Sequence, residues 1–180
     1  MSQQDVIEPE GAAAYKATVN GQGIRLSDPM PDAGQILAAA GFNPADQHIL
    51  IQLLKHGSQS IGLDETVDLR EPGKEVFRAF RSDRVFRLTV DGRGYEWGAA
   101  SIPEPELRDI ADVPDNKLLI LERKNEPDLD LGPDDHVQLS DAGTERLSTK
   151  KGLITVWLDG DATKSRSRWV PTRPRSWSGS

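Results

Sequence analysis

The fold of this chain is decided by the stretch Tyr15-Lys-Ala-Thr-Val-Asn-Gly-Gln-Gly23, which returns as Phe86-Arg-Leu-Thr-Val-Asp-Gly-Arg-Gly94. In both copies, alternating apolar and polar residues precede an Asn-Gly or Asp-Gly pair, and a second short strand pattern follows. Asn-Gly and Asp-Gly supply the positive φ angles of a two-residue type I′ turn. Each copy therefore predicts a β-hairpin.

Other landmarks return in the same order at an offset of about 70 residues, which is the signature of an internal repeat. They are Leu37 with Pro44 and Leu107 with Pro114, then His48–Leu54 and Lys117–Arg123, then Asp64–Leu69 and Asp134–Leu139. Ordered landmarks at a nearly constant offset indicate a tandem duplication.

A short helix is predicted after the hairpin of the first unit. Asp32 is a suitable N-cap, Ile36, Leu37 and Ala40 form an apolar stripe, and Gly41 is a suitable end.

The second unit predicts a similar helix. Ser101 and Glu104 have the spacing of a capping box, and Pro103 and Pro105 lie early, where proline is tolerated. Its inward-facing apolar residues are predicted to be Leu107, Ile110 and Ala111.

Strands are predicted after each helix and at the end of each unit. The continuous apolar runs Ile49–Leu54 and Leu118–Leu121 favour strands inside a sheet rather than at its edge. Lys74–Phe80 and Thr144–Ser148 close the units. The order strand, strand, helix, strand, loop, strand predicts an α+β fold, a mixed sheet with one short helix on one face, which is a β-grasp.

This organisation predicts β-grasp domains over residues 13–81 and 82–151. Residues 1–12 are predicted to be a disordered N-terminus, and residues 152–180 a C-terminal extension with a strand and a basic tail. Its charge is distinctive, because residues 161–180 contain one acid, Asp161, and the basic residues Lys164, Arg166, Arg168, Arg173 and Arg175.

The formal net charge of the whole chain is −7. Because residues 161–180 are basic, residues 1–160 are strongly acidic. An acidic body argues against nucleic-acid binding, because phosphates would be repelled. The chain has no cysteine, which excludes disulfides, thiolate metal sites and a cysteine nucleophile. It lacks an apolar run of the ~18 residues typical of a membrane span, and we read no secretory signal at its start. We expect a cytoplasmic protein that does not bind membranes.

The ordered set Val19-Asn-Gly, Gly41-Phe-Asn-Pro and Asp64-Glu-Thr-Val-Asp-Leu-Arg-Glu-Pro-Gly-Lys-Glu-Val-Phe77 resembles the bacterial multiubiquitin-domain family. The resemblance covers about residues 13–151 and is closer in the first unit than in the second. It implies tandem ubiquitin-like domains in a ubiquitination-like operon, with a role in antiphage defence. The implied partners are an activating-enzyme-like protein, a conjugating-enzyme-like protein and a JAB-type peptidase.

The resemblance also implies that this chain is a protein modifier or carrier, whose C-terminal glycine carboxylate is adenylated and passed to a nucleophile by other proteins. Glycine suits that chemistry because it has no side chain to block a narrow active site. The sequence ends in Gly179-Ser180 rather than a diglycine. Processing after Gly152 would expose a usable carboxylate. Alternatively, Leu153–Gly160, which resembles Val85–Gly92, begins an incomplete third repeat, and the two explanations are compatible.

A non-conjugated adaptor is the alternative function. Its candidate partner-binding residues are Trp157, Trp169, Arg173 and Trp177, because aromatic and arginine side chains dominate the energy of many interfaces. The stretch Asn125–Glu145 contains no Lys or Arg, which is typical of a solvated acidic loop or of a patch for a basic partner.

No catalytic residue, metal site or cofactor is predicted. The paired glycines of both repeats lie in hairpin turns rather than before a long helix, so they do not predict a phosphate cradle. Asp128–Asp135 has its glycine one place early for a calcium loop, and Leu139 stands where the bidentate Glu belongs. His48, His56 and His136 are separate from one another and from acids at ligand spacing. An enzyme is therefore the least supported class.

Overall fold

The computed structural model describes residues 14–140 and 143–152 of the chain. These residues form two compact units, unit 1 largely within residues 14–84 and unit 2 largely within residues 85–152. The predicted N-terminal segment 1–12 and the extension after Gly152, with its predicted strand, lie outside the described residues.

Unit 1 is a mixed five-stranded sheet with a short helix. Its elements are β1 (Tyr15–Val19), β2 (Gln22–Leu26), α1 (Ala33–Ala39), a 3₁₀ turn (Ala45–Gln47), β3 (Ile49–Leu54), β4 (Gly57–Ile61) and β5 (Val76–Phe80). The strand order is β2-β1-β5-β3-β4, with β1 parallel to β5 and antiparallel to β2. Helix α1 contributes Ile36 and Leu37 to a core that it shares with Val19, Leu50 and Phe77.

Unit 2 repeats this architecture. Its elements are β6 (Phe86–Val90), β7 (Arg93–Trp97), β8 (Ser101–Pro103), α2 (Glu104–Ile110), β9 (Lys117–Glu122), β10 (Leu129–Leu131), β11 (His136–Gln138) and β12 (Thr144–Lys151). The main sheet has the order β10-β9-β12-β6-β7, and β8 pairs with β11 in a separate ladder. The predicted α+β class, with a β-grasp in each half of the duplication, is confirmed.

The two hairpin turns have the predicted geometry. Asn20 and Gly21 have φ angles of 51° and 78°, and Asp91 and Gly92 have φ angles of 49° and 77°. Val19 faces Gln22 across the first turn, so the loop contains only the two residues that the type I′ turn requires.

Helix α1 has the predicted boundaries. Oδ1 of Asp32 accepts a hydrogen bond from the Gln35 backbone N–H at 2.7 Å, and Oε1 of Gln35 accepts one from the Asp32 backbone N–H at 2.9 Å. At the other end, Gly41 has φ of +85°, its N–H donates to Ala38 O, and the Phe42 N–H donates to Leu37 O. This is a Schellman motif, which requires a left-handed residue at the position of Gly41.

The conformation of Gly41 predicts a stability difference between two glycines of unit 1. Gly41→Ala is expected to destabilise unit 1 by about 1–2 kcal/mol, because alanine is strained at positive φ although nothing lies within 4 Å of the added Cβ. Gly23→Ala is the matched control, because its Cβ also meets open space but its φ is not positive. Urea denaturation of both variants, followed by unit 1 resonances, measures the difference. Equal losses would contradict this explanation.

The predicted start of α2 is wrong. Ser101 lies in β8, and α2 begins at Glu104 with Pro103 as an N-cap that has no side-chain cap bond. A helix capped by Ser101 would place the ring of Pro105 against the Ser101 carbonyl, whereas the observed start leaves Pro105 in the first turn, where its missing N–H costs nothing. Leu107, Ile110 and Ala111 are buried as predicted.

The strand predictions hold for position but not for extent. β3 and β9 lie inside their sheets as predicted, and β9 extends one residue beyond the predicted run at each end. β4 falls inside a segment that was predicted to be a loop, because Gly57-Ser-Gln-Ser has no apolar alternation. Its pairing partner is β3, a tertiary contact that a local pattern does not carry.

Candidate functional site

The C-terminal strand of unit 2 passes through the middle of its sheet and then loses one neighbour. β12 pairs in parallel with β6 from Thr144 to Leu147, and in antiparallel fashion with β9 from Arg146 to Lys151. β6 ends at Val90, where the chain turns away. Among the residues that the structure describes, Ser148–Lys151 therefore have a strand partner on the β9 side alone.

Asp91, the first residue of the β6–β7 hairpin turn, lies on the side of β12 opposite β9. Its Oδ1 accepts a hydrogen bond from the Thr149 backbone N–H at 2.7 Å, and its Oδ2 accepts one from Thr149 Oγ1 at 2.6 Å. Its own backbone N–H donates to Leu147 O at 3.0 Å. The turn thus holds the strand just where the β6 ladder stops.

Unit 1 has a corresponding contact made by an amide. Nδ2 of Asn20 donates to Ala79 O at 3.1 Å, Oδ1 of Asn20 accepts from the Ala79 backbone N–H at 2.9 Å, and the Asn20 N–H donates to Phe77 O. The type I′ turn explains both contacts, because positive φ at its first residue favours Asn and Asp, whose short side chains then reach the closing strand. The difference is that unit 2 uses a charged group that can only accept hydrogen bonds.

The surroundings of Asp91 favour its ionised form. Partial burial alone would raise the pKa of this carboxyl group, but the hydrogen bonds from Thr149 and the nearby Lys117 and Arg93 outweigh it and hold the pKa below its usual range. A cavity of about 150 Å³ opens beside the contact and is also lined by Tyr95. Burial is the main cause that raises the pKa of the Tyr95 phenol.

Gly152 is the residue that continues β12 after Lys151. Its N–H donates to Asn116 O at 3.0 Å, which extends the ladder with β9 by one step. A Cβ added here would lie 3.4 Å from Asn116 O and 3.6 Å from Leu118 Cγ, both ordinary contact distances. The absence of a side chain at this position is therefore not demanded by the fold of unit 2.

We refer to Asp91, Asn116, Thr149 and Gly152 as the tail anchor. The sequence model of the multiubiquitin family matches residues 15–82 and again residues 86–152, which together are well over half of the chain. The chain belongs to the multiubiquitin family. The second multiubiquitin match ends at Gly152, the residue where the tail anchor ends. No curated protein and no solved structure matches the chain significantly.

The residues predicted to bind a partner of this multiubiquitin protein all belong to its C-terminal extension. Trp157, Trp169, Arg173 and Trp177 fall outside the described residues, so their role as a partner-binding segment stays a prediction. Among the residues that sequence reasoning did not select, Asp91 and Thr149 are the most relevant to Gly152. The repeat alignment shows that Asn20 and Asp91 are equivalent turn residues, which could have drawn attention to Asp91. The strand that each of them contacts is visible only in the tertiary structure.

The acidic stretch of unit 2 is partly engaged in local contacts. Asp130 pairs with Lys150 at 2.7 Å, Asp128 Oδ1 accepts from the Arg123 N–H at 3.3 Å, and Asp135 Oδ2 accepts from the Gly132 N–H at 2.7 Å. The carboxylate of Asp135 thus stabilises a turn.

The residues considered for metal binding are dispersed in the structure. His48 forms a hydrogen bond between Nδ1 and Pro44 O and packs edge-on against Phe42, and His136 is exposed in β11. Within residues 14–140 and 143–152, no three His, Asp or Glu side chains are grouped as a metal site would require. Neither α-helix in these ranges has the length and apolar character needed to cross a membrane.

Proposed function

We propose that this multiubiquitin protein is a ubiquitin-like modifier or carrier, and that Gly152 provides the carboxylate by which it is transferred. The observation that carries the proposal is that the second repeat ends at a glycine, at the end of a strand that is central in its sheet. Pairing with β9 continues to Lys151 and the Gly152 N–H donates to Asn116 O, so the C-terminal end of the repeat has a defined position on the domain surface. In this proposal, the chain acts in the bacterial cytoplasm as the substrate of its partner enzymes.

The chemistry needs one processing step and three transfers. Water cleaves the Gly152–Leu153 peptide bond in the JAB-type peptidase, which leaves a carboxylate on Gly152. That carboxylate attacks the α-phosphate of ATP and releases pyrophosphate to form an acyl adenylate. A thiolate of the activating-enzyme-like or conjugating-enzyme-like partner displaces AMP, and a target amine then displaces the thiolate and loses a proton as the amide bond forms. The absence of cysteine from this chain fits such a division of work.

The test is intact-mass spectrometry of the full chain, expressed alone and together with the three partner proteins. With the partners present, we expect the mass of residues 1–152 and adducts of that mass on other proteins. Gly152→Val is expected to abolish the adducts, because a β-branched side chain next to the carboxylate obstructs a narrow active site. Gly143→Val is the matched control, because its Cβ would also make only an ordinary contact, 3.5 Å from Ser140 Oγ. A full-length mass with no adducts in both cultures would overturn the proposal.

The adaptor function has one observation in its favour. Thr149 is held by Asp91 and Gly152 by Asn116, so the chain is still bound to the sheet at Gly152. A conjugated tail must enter an active site as a free, extended strand. In this arrangement the residues just before Gly152 are bound to the sheet and do not form such a tail. If no processing or adduct is observed, the segment with Trp157, Trp169, Arg173 and Trp177 becomes the first candidate for partner binding.

A further inference from the structure

The end of β12 differs from the rest of the strand in how it is held. At Arg146 and Leu147, the strand is paired with β6 on one side and β9 on the other, and the side chain of Leu147 is 2% exposed. From Thr149 to Lys151, the backbone is paired with β9 on one side, and Gly152 donates to Asn116 O just before β9. Within the described part of the chain, the contact of Thr149 on the other side is the carboxylate of Asp91. A strand paired on one side only opens more readily than a central strand, because fewer hydrogen bonds and less apolar surface must be given up.

Other contacts of this segment are weak by comparison. Lys150 and Asp130 form an ion pair in which each side chain is about half exposed, and such pairs contribute little to stability. Nζ of Lys117 approaches Thr149 Oγ1 at 3.4 Å, a long hydrogen bond. Asp91, with two short bonds to one residue, is the strongest restraint on the side that β6 has vacated.

We propose that Asp91 is a latch, which holds Thr149–Gly152 in the sheet when engaged and, when released, lets these residues leave β9 as an extended tail. The released segment adds four residues, or about 13 Å of chain, to the reach of the Gly152 carboxylate. This consequence rests on the proposed function as a modifier. It explains how the Gly152 carboxylate can reach an active site although Gly152 is bound into the sheet. Asp91 is exposed at the surface, where a partner that competes for its carboxylate can reach it. It acts through Thr149 and is a positioning residue.

The test is hydrogen exchange of the full chain, compared between wild type and Asp91→Gly. Glycine keeps the positive φ of the turn without strain and removes the side chain that carries the carboxylate. We expect the amides of Thr149 and Gly152 to exchange roughly tenfold faster, the ratio that corresponds to losing one to two ordinary hydrogen bonds. Cleavage by trypsin after Lys150 and Lys151 is expected to accelerate to a similar extent. The amides of Leu88 and Leu119, in the core of the same unit, are expected to keep their rates.

Two further variants complete the test. Asp91→Asn is expected to restore slow exchange, because Asn20 makes the equivalent contact in unit 1 with an amide. Asn20→Gly makes the same change in unit 1 and is expected to leave Thr149 and Gly152 unchanged. The latch is overturned if Asp91→Gly has no effect, if Leu88 and Leu119 accelerate equally, or if Asp91→Asn exchanges as fast as Asp91→Gly. Because the partner proteins are not needed here, a failure of conjugation would refute the modifier role and leave the latch standing.

Discussion

Replacing Arg108 with alanine is expected to destabilise unit 2 by about 3–5 kcal/mol, because it leaves a buried carboxylate without its partner. Glu104 is only 2% exposed, and both Nε and Nη2 of Arg108 donate to its Oε1. Nη1 of Arg108 also donates to the carbonyls of Pro114 and Lys117, each at 3.0 Å. One side chain thus neutralises a buried charge and connects α2 with the start of β9.

An exposed ion pair of the same unit provides the control. Arg87 lies 3.3 Å from Glu96, but its side chain is 72% exposed. Arg87→Ala is therefore expected to cost at most about 1 kcal/mol. Urea denaturation followed by the methyl resonances of Leu119 and Leu147 measures both variants. If Arg108→Ala were as stable as Arg87→Ala, the buried pair would not be a determinant of this unit.

A double replacement separates the loss of a partner from the value of the pair itself. Glu104→Leu with Arg108→Met removes both charges and keeps the volume apolar, and such replacements are often neutral. We expect the double variant to be more stable than Arg108→Ala in the same denaturation experiment. A double variant as unstable as the single one would show that the bonds to Pro114 and Lys117, rather than the unpaired charge, account for the loss.

The second large effect is expected in unit 1. Phe77→Ala should cost about 3–5 kcal/mol, since it removes a completely buried aromatic ring and leaves a cavity. Phe77 lies in β5, between β1 and β3, where it is paired with Val19 and Gln52. A loss of this size is a large fraction of the stability of a small domain.

Phe77→Leu is the matched control for that experiment. It keeps an apolar side chain of intermediate volume at the same position, so we expect a smaller loss than with alanine. The free energies of unfolding are obtained from urea titrations followed by resonances of Val19 and Leu50, which share its core. Similar losses for both variants would mean that the shape of the ring, and not the cavity volume, determines the packing here.

Local features were predicted well where neighbouring residues specify them. Asp32 caps α1 and Gly41 ends it because both effects involve the backbone within one helical turn. The predicted capping box of Ser101 failed because the local spacing was right but the strand pairing of Ser101 with Gln138 competes with it. The pattern of residues 101–104 does not contain its distant partner.

The candidate site shows the same division. Gly152 was selected from the sequence by its place after the last predicted strand of unit 2, and the structure places it directly after β12, held by Asn116. Asp91 was recognised only as a turn residue. Its contact with Thr149 joins residues 58 positions apart, and no period or motif reports such a contact.

The sequence by itself determined the duplication, the two type I′ hairpins, the apolar face of each helix and the β-grasp order, because these depend on local backbone preferences and on the alternation of apolar residues. The tertiary structure alone decided that β12 pairs with β6 over Thr144–Leu147 and with β9 over Arg146–Lys151, and that Asp91 bonds to Thr149 beyond the end of the β6 ladder. The physical reason is that strand pairing and buried charge are satisfied by residues far apart in the chain, so their partners become apparent only when the sheet is assembled.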